Sequence, residues 1–213
     1  MDTSDYFQTL EPLFRGLTHE IRNPVQGILA SAEALRCRLE EDASGVKLLD
    51  MIQRECVRIN GLLTDLLTLS EPVRVGSLVP LAKLLEECVR MYPNIVISHI
   101  DADLPGIHCD RTALRRAILA ILQNALESKS QNNSVSLSAE RAGESVKITI
   151  MDQGDGISAE DLNHVLEPFF STKKAKAGLG LTIAERILRL HKGDFQIDSR
   201  PSEGTVVTMI VPI

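Results

Sequence analysis

The chain has 213 residues, 44% of them hydrophobic, enough for one sizeable domain or two small ones with a buried core. A formal charge of −6 and a pI near 5.4 argue against a surface held on nucleic acid by phosphate contacts. The apolar runs are short and broken by polar residues, and the amino terminus lacks a basic stretch followed by an apolar one, so a soluble, cytoplasmic chain with no membrane insertion is expected.

Phe14, Leu17, Ile21, Ile28, Leu35 and Leu39 recur at helical spacing, and Leu49, Ile52, Cys56, Ile59, Leu63 and Leu66 step by three and four. Two heptad-like helices are predicted. The polar segment 40–45 between them is short enough to fold them into an antiparallel hairpin. A lone hairpin would leave its apolar stripe in water, so a homodimer through residues 1–70, closing a four-helix bundle, is expected. Packing of that stripe on the chain's own second half is the alternative, which strict heptad stepping disfavours.

Glu71-Pro72-Val73-Arg74-Val75-Gly76-Ser77 reads as a linker, which divides the chain into domains 1–71 and 72–213. In the second, helices are predicted at 80–91 and 111–129 and strands at 94–100, 134–140 and 145–151. From Asp152 to Lys176 the Gly-rich, charged texture suggests a mobile loop. An amphipathic helix resumes over 178–191, and strands at 194–199 and 205–211 complete a mixed sheet covered by helices.

Chemistry enters at His19-Glu20-Ile21-Arg22-Asn23-Pro24. With Leu17 at zero on a helical wheel, Ile21, Ile28 and Leu35 fall within roughly 40°, whereas His19 lies about 200° away and Asn23 about 40° from His19. His19 is thus expected to face solvent with Glu20 and Asn23 close by. A neutral imidazole has a free ring nitrogen that can attack phosphorus, and Glu20 can take its proton or orient the ring. Pro24 removes the donor to the Glu20 carbonyl, so a kink one turn past His19 is expected to loosen the helix there. The metalloprotease pattern His-Glu-x-x-His fails because Asn23 stands where the second zinc ligand must be.

The segment Leu17-Thr18-His19-Glu20-Ile21-Arg22-Asn23-Pro24 resembles the H box of sensor histidine kinases. The resemblance implies that His19 is the phosphoacceptor, that Glu20 acts as base, and that Asn23 positions water when a partner's phosphate is hydrolysed.

A second group lies downstream. Asn124, on a helix packed against the sheet, offers an amide oxygen of the kind a magnesium ion accepts. In Asp152-Gln153-Gly154-Asp155-Gly156 a strand ends at a carboxylate, and two glycines let the backbone turn tightly. Asp152 can accept from the exocyclic amine of adenine and would repel the carbonyl of guanine, which favours ATP over GTP. Gly178-Leu179-Gly180 opens the next helix, where free amides and the helix dipole suit phosphate. Lys173, Lys174 and Lys176 precede it, one of them placed to neutralise γ-phosphate charge, the others reading as solvated.

Together, Asn124, residues 152–156, Glu167-Pro168-Phe169-Phe170-Ser171-Thr172-Lys173, residues 178–181 and Gly204-Thr205 resemble that family's ATP-binding domain. The resemblance spans nearly the whole chain. It implies a dimeric helical hairpin followed by an α/β sandwich of the histidine kinase and chaperone ATPase type. ATP and Mg²⁺ would bind under a lid at about 158–177 that Phe169 and Phe170 anchor. Ala120 stands where the family commonly has another Asn, and Ala177 replaces a frequent Thr.

The remaining candidates carry less. Cys37, Cys56, Cys88 and Cys109 form no Cys-x-x-Cys pair and read as core. His191 precedes Lys192-Gly193 at a helix end, where a cation suits the dipole; His99, His108 and His164 read as structural or surface residues. The expected function is an ATP-dependent histidine kinase that phosphorylates His19, relays the phosphoryl group to an aspartate of a response regulator and also assists removal of that phosphate. A docking scaffold that binds nucleotide poorly and a relative of the chaperone and topoisomerase ATPases are the competing readings.

Overall fold

A computed structural model describes the backbone of residues 3–36, 43–74, 76–128, 134–173 and 176–213, and side chains from Thr18 onward except those of His19, Glu20 and Ala43. The chain divides into two compact units, Met1–Glu71 and Pro72–Ile213.

The first unit is a helical hairpin of α1 (Thr3–Arg36) and α2 (Ala43–Ser70). Its internal seam runs at seven-residue spacing on both helices: Thr18, Val25 and Ala32 of α1 are buried, as are Leu49, Cys56 and Leu63 of α2. On α1 the predicted stripe lies about 60° round the helix from this seam and stays open, with Ile21, Ile28 and Leu35 exposed at 43%, 50% and 48%. Ile52 of α2 is exposed as well. On α1 small residues close the seam inside the hairpin, and the large ones form a second, exposed face. Across the seam, Arg36 bonds Asp50 at 3.1 Å and Gln53 at 3.1 Å.

The second unit contains β1 (Ser77–Val79), α3 (Leu81–Arg90), β2 (Ile95–Ile100), β3 (Ile107–Cys109), α4 (Arg111–Leu126), β4 (Val135–Ala142), β5 (Ser145–Asp152), α5 (Ala159–Leu162), α6 (Gly180–Leu190), β6 (Asp194–Arg200) and β7 (Gly204–Pro212). Among the described residues the main sheet has five strands in the order β2-β4-β5-β7-β6, with β2 parallel to β4 and the other pairs antiparallel. Alternate residues (Val135, Leu137 and Ala139 of β4; Val146, Ile148 and Ile150 of β5; Val207, Met209 and Val211 of β7) are buried on one face. Buried residues of α3, α4 and α6, among them Leu85, Ile118, Leu122, Ile183 and Ile187, complete this core. The result is a two-layer α/β sandwich.

Sequence periodicity missed three short elements. β1 and β3 pair antiparallel as a separate ribbon, Ser77 opposite Cys109, and three-residue strands are too short to show alternation. Part of the expected mobile loop is helical: α5 is capped by Ser158, whose Oγ accepts from the Asp161 N–H at 3.0 Å. Helix α4 stops at Leu126, short of the predicted 129. No described helix is long and apolar enough to cross a membrane.

His191 takes a structural role at the end of α6. It is buried, its Nδ1 lies 2.7 Å from the Ile187 carbonyl, and its Nε2 accepts the Asp110 N–H at 2.9 Å. The ring thus bonds the end of α6 to the start of α4. Cys56, Cys88 and Cys109 are buried and free, and burial pushes the Cys88 and Cys109 thiols up to about 11, which keeps them inert. Cys37 lies outside the described residues.

Candidate functional site

The backbone of α1 runs through His19, Glu20, Asn23 and Pro24 without interruption, so Pro24 does not break the helix. Pro24 is exposed and still lacks the N–H that the Glu20 carbonyl would otherwise receive. Asn23 is exposed. The expectations for the side chains of His19 and Glu20 lie outside the described residues.

In the second unit, β5 ends at Asp152, which is only 6% exposed. Oδ1 of Asp152 accepts the Gly154 N–H at 2.8 Å and lies 3.1 Å from the Ser128 hydroxyl. The backbone N–H of Thr205, the register partner of Asp152 on β7, also donates to this carboxylate. Burial pushes the Asp152 carboxyl above its usual range; the Gly154 N–H, the Ser128 hydroxyl, the Thr205 N–H and the Lys173 charge work against that rise without cancelling it. A Cβ at Gly154 would lie 2.1 Å from Ser128 Oγ, so only glycine leaves room for the hydroxyl to reach Asp152. Thr205 Oγ1 lies 2.9 Å from the hydroxyl of Ser199, which donates to the Gly204 carbonyl.

Asn124 is half-buried on α4, and a Cβ placed on Gly180 would sit 3.6 Å from its Nδ2 and 3.8 Å from Ala120 Cβ. The Asn124 carboxamide therefore stands beside the start of α6. The residue preceding α6, Leu179, is 1% exposed and offers no side-chain cap, so the first N–H groups of α6 have no capping side chain. Helix dipole and free donors make this end receptive to an anion.

The loop ahead of α6 is closed at its base. The Phe169 N–H donates to the Gly178 carbonyl at 3.0 Å. Gly178 adopts φ +68°, and a Cβ there would meet the Phe170 carbonyl oxygen at 2.2 Å, so the tight return needs glycine. Only part of the expected aromatic anchor is present: Phe170 is half-buried with its ring 5.8 Å from that of His164, whereas Phe169 is 63% exposed and contributes its backbone. His164 is paired with Glu167 at 2.9 Å, and that hydrogen bond raises its pKa.

The loop lysines are not simply solvated. Lys176 Nζ lies 2.5 Å from Glu127 Oε1, and Lys173 Nζ 3.7 Å from Glu127 Oε2. Burial lowers the Lys173 pKa, and the Lys176 charge adds to this while Glu127 opposes it. Lys174 lies outside the described residues. The structure thus brings Asn124, Asp152, Gly154, Lys173, Gly180 and Thr205 around one end of α4 and adds Glu127 and Ser128. Those two were missed because both lie just past the end of α4, where no helical spacing from Asn124 marks them.

Residues 10–72 match the His Kinase A (phospho-acceptor) domain, and residues 109–213 match the family described as histidine kinase-, DNA gyrase B- and HSP90-like ATPase. The signal transduction histidine-protein kinase AtoS of Escherichia coli (strain K12) is 31% identical over all of this chain and 36% of its own length. Sporulation kinase C of Bacillus subtilis is 27% identical over 94% of this chain and 48% of its own length. The solved structure of full-length ShkA in complex with AMPPNP has a TM-score of 0.78 at 22% identity, covering 94% of this chain and 45% of that one. That of histidine kinase ThkA in complex with response regulator protein TrrA has a TM-score of 0.66 at 18% identity, covering 100% and 67%. At these identities the structural likeness is one of fold. The chain spans between about a third and a half of the length of the curated relatives it matches.

Proposed function

This chain belongs to the sensor histidine kinases, and we propose that it is the ATP-dependent core of one, phosphorylating His19 and passing the phosphoryl group to an aspartate of a response regulator. The observation that carries the reading is the pairing, in one chain, of a phosphoacceptor hairpin with an ATPase-type domain. A ring nitrogen of His19 would form a bond to the γ-phosphorus as the bond to the bridging oxygen breaks and ADP leaves. Glu20 holds or accepts the imidazole proton. The aspartate of the regulator then takes the phosphoryl group from nitrogen.

Asp152, buried and fixed by its donors, accepts from the adenine amine. Gly178, Leu179 and Gly180 deliver the uncapped start of α6 to the phosphates, with Phe170 and Lys173 at the edge of the loop. The Asn124 carboxamide, beside Gly180 at the start of α6, would hold a phosphate-bound magnesium ion, which would supply charge neutralisation. Thr205 supports Asp152 from β7. Asn23, exposed on α1, orients water when the regulator's phosphate is hydrolysed, which makes the core a phosphatase as well. The open apolar face of Ile21, Ile28 and Leu35 supports a homodimer through residues 1–70.

Incubation with labelled ATP and Mg²⁺ tests the reading. Acid-labile, base-stable label is expected in the protein and absent from His19→Gln, with transfer to a receiver domain; label retained by His19→Gln refutes the assignment.

A further inference from the structure

Ser128, the residue after the Glu127 cap of α4, is drawn over Gly154, where a Cβ would stand 2.2 Å from its own. Its hydroxyl lies 3.1 Å from Asp152 Oδ1 and 2.7 Å from the Ala125 carbonyl. A hydroxyl has one proton to donate, so the two acceptors compete. The Ala125 carbonyl already receives the Glu127 and Ser128 N–H groups, and a hydrogen bond to an ionised carboxylate is roughly twice as strong as one to a neutral acceptor. The proton therefore goes to Asp152 while that carboxylate is charged.

Resting on the ATP-binding reading above, we propose that Ser128 is the residue that makes this pocket select adenine, by holding the Asp152 carboxylate charged and oriented as an acceptor. A carboxylate has about four lone-pair sites, and Ser128, Gly154 and Thr205 fill three, which leaves one for an exocyclic amine. Among the described residues the charged group acting on Asp152 is Lys173, which is shared with Glu127. Burial already pulls Asp152 toward its neutral form, so loss of the Ser128 donor shifts it further. A neutral carboxyl has a proton to give, and the O6 oxygen of guanine accepts one, whereas adenine's amine loses its acceptor. Ser128 thus acts through Asp152 as a positioning and specificity residue.

The test is calorimetric titration of the full chain with ATP and with GTP, for the wild type, Ser128→Ala and Ser128→Cys, which keeps the side-chain shape with a weak donor. Both variants are expected to narrow the ATP-to-GTP affinity ratio roughly ten-fold, the strength of one hydrogen bond to a charged group. The narrowing is expected to be greater at mildly acidic than at mildly alkaline pH. An unchanged ratio, or an equal loss of both nucleotides, overturns the proposal. A wild type that binds neither nucleotide refutes the ATP-binding reading itself and this inference with it.

Discussion

Glu127 Oε1 sits 2.5 Å from Lys176 Nζ, tying the end of α4 to the loop that precedes α6. Lys173 approaches the same carboxylate at 3.7 Å, so one anion holds two cations that a triphosphate would otherwise attract. The groups are partly exposed, and such pairs contribute up to about 1 kcal/mol. Glu127→Gln is expected to tighten ATP binding by about two- to five-fold, an effect that shrinks with added salt. Titrations at low and high ionic strength check it; weaker binding in the variant counts against the exchange.

The raised pKa of Asp152 has a definite sign. A carboxyl raised in the folded state favours folding at low pH, and that contribution is lost as pH rises through the folded value. At neutral pH its charged form is a liability to the fold and an asset to binding. Asp152→Asn is expected to keep or slightly raise the thermal stability of the nucleotide-free protein while abolishing ATP binding. Wild-type affinity for ATP should fall as pH drops through the raised value. Melting curves and titrations across pH decide both.

Gly178 and Gly180 separate strain from function. Gly178→Ala places a Cβ on the Phe170 carbonyl at positive φ and is expected to destabilise the second unit by about 1–3 kcal/mol. Gly180→Ala meets only ordinary contacts at 3.6 and 3.8 Å, so the fold should hold while ATP affinity collapses. Thermal melts paired with titrations distinguish them; full ATP binding by Gly180→Ala would remove phosphates from this end of α6.

Two hairpin substitutions separate its two faces. Leu63→Ala empties the inner seam and is expected to cost about 2–5 kcal/mol. Ile28→Glu puts a charge on the exposed face, so the hairpin should persist while the homodimer dissociates. Light scattering and circular dichroism together report the outcome; a dimer of unchanged strength in Ile28→Glu moves the interface elsewhere.

Most elements of the second unit were legible because β4 and β5 alternate over most of their length, β7 is a largely apolar run and α3, α4 and α6 carry apolar stripes. Periodicity cannot register β1, β3 or α5, which are too short to hold two repeats of the pattern that would reveal them. It also could not tell which of two adjacent apolar stripes on α1 closes the hairpin, because Val25 and Ala32 are smaller than Ile28 and Leu35. The short residues allow close helix approach, a packing decision invisible to hydropathy. The helix-end position of His191 is legible in the sequence, but its partner, the Asp110 N–H, lies 81 residues away.

The sequence by itself determined the family, through the box around His19 and the ordered Asn124, Asp152, Gly178 and Gly180, because each motif is local and its spacing encodes a turn or a helix face. Tertiary structure alone decided the electrostatics of the pocket. Whether Asp152 is charged depends on Ser128 and Thr205, and whether Lys173 and Lys176 are free depends on Glu127, all brought in by the pairing of β5 with β7 and the packing of α4. Those energies depend on distance and burial in space, which separation along the chain does not specify.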